Sequence, residues 1–191
     1  MLQYQTFQQM ASTRKPTKLS HEGLWEYALH TLSARAHSTA ELRRKLLRRA
    51  QSSPDVNAIM TKLSDYGLAD DTKFSESFAS SRLANTGMGK FRVLRELRSR
   101  QVPAQVAEKA VATAFEGTDE EELAEGFLRR KYRGKDLPAF LAEEKNLAAA
   151  FRKLRVGGFG STASLSVLKR YSRKAEEMAD DPELPEIDHA S

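Results

Sequence analysis

Apolar residues recur along most of this chain at the three- and four-residue spacing of an amphipathic α-helix. Leu24, Ala28 and Leu32 show this spacing in the first segment, and it returns in later segments up to about residue 171. No segment has the strict alternation of β-branched residues that is typical of a strand. The pattern therefore predicts an all-α fold.

Polar residues and glycines mark where the helices begin and end. Ser38 and Glu41 have the spacing of a capping box, which starts the second helix. Asp55 is the predicted cap of the third helix. The first helix is expected at about 23–36, and one longer helix at about 138–154.

The helical pattern repeats with a period of about fifty residues. Residues 41–47 resemble residues 92–98, and Leu42, Leu94 and Leu147 fall one period apart in the second helix of each unit. Stacked units of this kind form an elongated, curved array, so we predict three tandem three-helix repeats. The predicted organisation is a flexible N-terminal tail (1–20), repeats at 21–68, 69–117 and 118–175, and an acidic flexible C-terminal tail (176–191).

Charge is distributed unevenly along the sequence. The chain has 31 Lys and Arg against 26 Asp and Glu, yet residues 176–191 contain seven acidic residues and no Lys or Arg. The helical body is therefore more basic than the net charge of +5 indicates. Such a body suits a nucleic acid or an acidic protein surface, although charged outer faces also serve plain solubility.

The sequence offers little for catalysis. There is no cysteine, and the glycines at 87–90 follow no predicted strand, as a phosphate-binding loop would require. The Ser-x-x-Lys spacing at 166–169 has no companion motif. We expect no enzyme activity, no cofactor and no metal site. The absence of cysteine and of membrane-length apolar runs favours a cytoplasmic protein. The histidines, which lack metal-ligand spacing, are His21, His30, His37 and His189.

Basic clusters lie beside the apolar seams and recur through the chain. Arginines one helical turn apart form a stripe, and such stripes would align along the array to follow a phosphate backbone or an acidic groove. The alternative is a set of solvated faces balanced by nearby glutamates, such as Glu41, Glu96 and Glu125. The candidate binding residues are Arg43, Arg44 and Arg48; Lys90, Arg92, Arg95 and Arg98; and Arg129, Arg130 and Lys131.

Four segments of the chain carry motifs that are similar to those of one known family. Residues 66–78 read YGLADDTKFSESF and precede Arg82, and residues 87–97 read GMGKFRVLREL. Residues 38–46 read STAELRRKL, and residues 155–159 read RVGGF. In their order and spacing these segments resemble the RecX family, and the likeness covers about residues 24–171.

The chain departs from the family pattern at a few positions. Ser75 stands where alanine is usual. Ala50 and Gln101 replace the glycine that often follows the second helix of a unit. The Gly157-Gly158 turn is one residue longer than the usual turn. These departures bear on the shape of local loops.

The resemblance implies a non-enzymatic regulator of the RecA recombinase. RecX-like proteins are similar to curved three-repeat arrays that lie in the groove of the RecA–DNA filament and limit filament growth, ATPase, strand exchange and co-protease activity. A monomer that binds single- and double-stranded DNA weakly and without sequence preference is expected, and Arg82 joins the candidate contacts. Two alternatives stay open: a sequence-specific helix-turn-helix regulator, and an interaction scaffold that never meets DNA.

Overall fold

The computed structural model describes residues 17–175, and this part of the chain is almost entirely helical. It contains no β-strand within those residues, only one isolated bridge, so the all-α prediction is confirmed. Between residues 17 and 175, every helix is too short or too polar to span a bilayer. The helices are α1 His21–Ala34, α2 Thr39–Arg49, α3 Ser53–Asp65, α4 Asp71–Thr86, α5 Lys90–Ser99, α6 Ala104–Ala114, α7 Glu120–Lys131, α8 Leu137–Leu141, α9 Glu144–Gly157 and α10 Ser161–Lys169, followed by a 3₁₀ turn, Arg173–Ala175.

The chain divides into two compact units at the Ala69–Asp70 bond. In the first unit, α1, α2 and α3 pack against one another. Each contributes apolar side chains to one core, including the fully buried Leu24, Leu46 and Ile59. Removing this apolar surface from water is the main force that holds three short helices together, because helices of this length are marginal alone.

The segment before α1 belongs to the first unit. The Leu19 amide donates to the Arg49 carbonyl at 2.7 Å, and the Gln51 amide donates to the Leu19 carbonyl at 3.3 Å. The Ser20 side chain caps α1. The N-terminal tail predicted at 1–20 therefore extended too far, because pairing with the end of α2 orders these residues. Predicted tail residues 1–16 and 176–191 lie outside the described residues.

The second unit contains two helical bundles. Helices α4, α5 and α6 enclose a core that includes Phe74, Val93 and Leu97. Helices α7 to α10 enclose a second core, in which Leu128 and Leu147 are fully buried. The tandem three-helix arrangement is confirmed in α1–α3 and α4–α6, whereas the last bundle has four helices.

The extra helix arises where one long helix was expected at 138–154. The chain breaks between α8 and α9, because Glu143 adopts an extended backbone conformation (φ −78°, ψ 123°). Asn146 stabilises the break by donating from Nδ2 to the Phe140 carbonyl and to the Glu143 carboxylate, at 3.1 and 2.9 Å. The prediction of a continuous helix was wrong because the apolar spacing runs through this break.

Side-chain caps fix several helix starts. Ser38 and Glu41 form the complete capping box, as predicted. Asp70 and Asp119 cap α4 and α7 through their carboxylates, which accept amide hydrogens of the first turn. The predicted cap of α3 was wrong. Ser52 occupies that position, and its hydroxyl accepts from the Asp55 amide at 3.5 Å.

The buried seam of α5 is shifted by one residue from the predicted repeat register. Counted from the helix start, Val93 occupies the position of Leu42 in α2 and of Leu147 in α9. Val93 and Leu97 are fully buried, whereas Leu94 is only partly so. The comparison of residues 41–47 with 92–98 places Leu42 opposite Val93, in agreement with the structure, whereas the leucine spacing that used Leu94 was one residue out of register.

Backbone hydrogen bonds join the two bundles of the second unit. The Gly89 amide donates to the Gly157 carbonyl at 3.0 Å, and the Phe91 amide donates to the Gly158 carbonyl at 3.1 Å. A Cβ atom on Gly89 would lie 2.2 Å from the Gly158 oxygen, so only glycine permits this approach. The turns between helices thus also dock the start of α5 on the end of α9.

Gln101 ends α5 in a conformation that favours glycine. Its φ of 60° lies in the left-handed region, and among the residues that the structure describes it is the only non-glycine residue with a positive φ. Its amide donates to the Arg98 carbonyl at 2.8 Å, and the Val102 amide donates to the Leu97 carbonyl at 3.2 Å. These two bonds define a Schellman motif with glutamine at the position that usually holds glycine.

We expect Gln101→Gly to stabilise the second unit by about 1 kcal/mol, because glycine adopts the left-handed conformation without steric cost. The measurement is native-state hydrogen exchange at the buried amides of Val93 and Leu97.

Ala50→Gly provides the matched control. Ala50 also follows a second helix, but its backbone is extended (φ −71°, ψ 143°) and its methyl group is buried. Glycine there should cost the first unit about 1 kcal/mol through lost burial and added backbone freedom. Equal effects of the two substitutions would contradict this explanation.

Candidate functional site

The first unit presents arginines along α2. Arg43 donates from Nη2 to the Asn57 side chain at 2.6 Å, which joins α2 to α3. Arg44 and Arg48 are exposed one turn apart, as predicted. Within residues 17–175, neither has a carboxylate partner, and Arg48 makes only a long bond to the Arg44 carbonyl at 3.4 Å. These two cations are available to an external anion.

The second unit places several candidate residues around Glu96 on α5. Arg82 of α4 pairs with Glu96 through Nε at 2.9 Å, and Arg92 pairs with it at 3.1 Å. The Arg82 guanidinium also lies over the Phe78 ring, 4.8 Å from its centroid. Arg82 therefore has a structural role between α4 and α5.

Arg92 and Arg95 converge on the end of α9. Arg95 donates from Nη2 to the Val156 carbonyl at 3.2 Å, and Arg92 donates from Nη1 to the same oxygen at 3.5 Å. Together with Glu96, these residues line an open groove. The sequence assigned them to a stripe but gave no indication that they meet α9.

The other candidates on α5 take part in ion pairs between helices. Arg98 pairs with Glu108 of α6 at 3.0 Å, and Lys90 pairs with Glu120 of α7 at 3.8 Å. Glu120 also accepts the Gly160 amide at 2.7 Å. These contacts stabilise the packing of neighbouring helices, so the two cations are already partly neutralised.

The third cluster lies at the end of α7, the first helix of its bundle. Arg129 pairs with Glu125 at 2.8 Å. Arg130 donates to the Thr86 and Gly87 carbonyls at the end of α4, at 3.0 and 3.3 Å. Lys131 is exposed, with its ammonium 5.3 Å from the centroid of the Phe127 ring.

The basic positions recur only in part. Arg44 of α2 and Arg95 of α5 occupy the same position relative to the start of their helices. The equivalent position of α9 holds Ala149. At this helix position, the basic residue therefore recurs in α2 and α5 but not in α9. The alignment of all three clusters along one surface stays a prediction.

Sequence analysis missed a cluster around Glu125. Arg170 of α10 donates to Glu125 at 2.7 Å and also pairs with Glu121. The Tyr171 hydroxyl donates to Glu125 at 2.7 Å. No spacing rule links residues that lie about 45 positions apart, so only the packing of α10 on α7 reveals this cluster.

Sequence analysis also missed the structural role of Arg155. It is 6% exposed, and its Nη1 donates to the Phe159 carbonyl at 2.7 Å within the turn after α9. Burial lowers the pKa of the Arg155 guanidinium, with repulsion from Arg95 acting in the same direction and attraction to Glu120 opposing it. The RVGGF motif suggested a turn, and the structure adds that its arginine closes that turn.

Taken together, these features define a protein of tandem small helical bundles with cationic faces. Among the described residues, no group of three or more His, Cys, Asp or Glu side chains is arranged to hold a metal ion. The comparisons place this architecture in a family. Models of the first and second three-helix domains of RecX match residues 25–63 and 70–111.

The chain belongs to the RecX family, as the resemblance indicated. It is 33% identical over 143 residues to a protein of Mycolicibacterium vanbaalenii named "Regulatory protein RecX", which covers 73% of this chain and 77% of the relative. A relative of the same name from Mycobacteroides abscessus is 36% identical over 102 residues, or 53% of this chain. The match spans half the length of that relative.

Solved structures support the fold. The crystal structure of RecX from Lactobacillus salivarius matches with a TM-score of 0.61 at 16% identity, covering 79% of this chain and 96% of the other. A second crystal structure of regulatory protein RecX matches with a TM-score of 0.59 at 20% identity, covering 77% and 70%.

We expect the second unit to lose stability in acid through Glu125. The hydrogen bond from Tyr171, followed by that from Arg129, lowers the pKa of the Glu125 carboxyl to about 2. A carboxyl with a lowered folded-state pKa contributes stability above its ordinary range near 4.3, and this contribution is lost as the pH falls toward 2. Urea unfolding across this pH window should therefore show a weaker pH dependence in Glu125→Gln.

The control is Glu116→Gln at the exposed end of α6. It should keep the acid dependence of the original protein. If the two variants follow the same curve, the cluster around Glu125 does not account for acid sensitivity.

Proposed function

We propose that this chain is a regulator that binds the RecA recombinase filament on DNA. It limits filament extension, and thereby lowers ATPase, strand exchange and co-protease activity. Membership of the RecX family carries this proposal, because the relatives are named as regulatory proteins. The chain acts by binding rather than by catalysis.

The cationic helices support the proposal. A RecA filament on DNA offers phosphate groups and a protein groove, and exposed arginines suit either surface. Arg44 and Arg48 are the clearest candidates, since no carboxylate in residues 17–175 pairs with them. The other candidates already make contacts within the protein and add positive charge for binding. They are Arg43, Arg82, Arg92, Arg98 and Arg129–Lys131.

Binding to DNA alone is expected to be weak and sequence-independent. Contacts to phosphate depend on charge and release counterions, so they weaken as salt rises. In this proposal the chain binds as a monomer, and its three repeats, at the predicted boundaries 21–68, 69–117 and 118–175, contact the filament. The filament then supplies more contacts than free DNA does.

Titrating the chain into RecA and single-stranded DNA should lower the steady-state rate of ATP hydrolysis in a saturable manner. Fewer recombinase subunits remain bound when filament extension is limited, and hydrolysis follows the number bound. The assay measures phosphate release. An unchanged rate at saturating protein would contradict the proposal.

The double variant Arg44→Glu, Arg48→Glu should raise the protein concentration needed for half-maximal inhibition by about tenfold, because two attractive charges become repulsive. Circular dichroism should show an intact fold, since both side chains are exposed. The matched control is Lys109→Glu, Lys145→Glu, which changes two exposed lysines on α6 and α9 by the same net charge. Equal losses in the two variants would show that net charge alone matters.

A sequence-specific helix-turn-helix regulator predicts a different result. It would select one duplex sequence from a random pool and would leave RecA hydrolysis unchanged. The same titration, repeated with selected duplexes, therefore separates the two functions.

A further inference from the structure

Two arginine side chains of α5 share one hydrogen-bond acceptor. Arg92 and Arg95 lie one helical turn apart and donate to the same oxygen, the Val156 carbonyl, at 3.5 and 3.2 Å. Their contacting nitrogens therefore lie within about 7 Å of each other. Like charges at this separation repel, and an anion between them would relieve the repulsion.

The surroundings do not balance this charge. Glu96 is the carboxylate that lines the groove, and it is shared between Arg92 and Arg82. Arg95 contacts no carboxylate within residues 17–175, and its hydrogen bond goes to an uncharged carbonyl. Three guanidinium groups thus face one carboxylate.

A further cation, Arg155, adds to this charge. Arg155 is buried in the turn after α9, and the charge of Arg95 is close enough to disfavour its protonated form. Glu120 offsets part of this charge, but it also pairs with Lys90. The positive potential at the groove therefore exceeds that of Arg92 and Arg95 alone.

Capping of α9 accounts for only part of the arrangement. The last carbonyls of a helix lack partners within the helix, so a donor at Val156 is useful. A carbonyl carries no net charge, however, and it leaves both guanidinium groups with unused donors. The groove is open and Val156 is 54% exposed, so a ligand can reach these donors.

We propose that Arg92 and Arg95 form a subsite for one backbone phosphate of a nucleic acid. The inference rests on the proposed function and identifies the ligand of one of its candidate surfaces. A phosphate presents several oxygens around a tetrahedral centre and can accept from two guanidinium groups at once. Arg95 is exposed and can turn from the Val156 carbonyl toward the ligand.

The test measures binding of a fluorescein-labelled oligothymidylate by anisotropy at several salt concentrations, with no recombinase present. Arg95→Gln should reduce the slope of log affinity against log salt by about 0.7, the contribution of one phosphate contact on a single strand. Arg95→Lys should retain the slope, because it keeps the charge. Lys109→Gln, an exposed site on α6, is the matched control and should also retain it.

Several results would overturn the subsite. These are an unchanged slope in Arg95→Gln, an equal change in Lys109→Gln, and no binding of the oligonucleotide by the original protein at low salt. Competition by oligoglutamate as strong as that by unlabelled oligonucleotide would assign the groove to an acidic protein segment instead. This binding assay contains no recombinase, so a negative result would contradict only the phosphate subsite. The proposed inhibition of RecA is tested separately by the ATP hydrolysis titration.

Discussion

The structure of the second unit depends on the close backbone contact between the start of α5 and the end of α9. Gly89 approaches Gly158 so closely that no side chain fits between them, and two amide–carbonyl bonds fix the register. This contact brings Arg92 and Arg95 to the Val156 carbonyl. Gly157 and Gly158, at the end of α9, form the other side of the same contact. A feature that the sequence explains as a helix stop therefore also positions the proposed phosphate subsite.

The arginines of this chain differ in how far contacts within the protein already occupy their guanidinium groups. In the second unit, Arg82, Arg98 and Arg129 have carboxylate partners within their own unit. The pairs of Arg82 and Arg98 join neighbouring helices, whereas that of Arg129 lies within α7, and each adds a small stabilisation. In the first unit, Arg44 and Arg48 face solvent without such partners among the described residues. Charge count alone would treat all of them as equal binding residues. At most of these arginines, an external anion must compete with a carboxylate that already binds the guanidinium. At Arg44 and Arg48, it must displace only water.

Several features followed directly from the sequence, and the errors have a common cause. The capping box at Ser38 and the Asp70 cap depend on residues three positions apart, so local chemistry specifies them. The break at Glu143 and the register of Val93 depend on what the helix packs against, which periodicity does not report. Likewise, Gln101 was recognised as a substitution for glycine, but its left-handed backbone became visible only in the folded chain.

The sequence by itself determined the helical class, the capping box that starts α2, the family, and which cations exist. These properties arise from side-chain spacing and from motifs that are contiguous in the chain. Tertiary structure alone decided that Arg170 and Tyr171 join Glu125, and that two arginines of α5 meet at one carbonyl of α9. The physical reason is that electrostatic and hydrogen-bonding partners are set by distance in space, and helix packing brings together residues that are 45 to 64 positions apart.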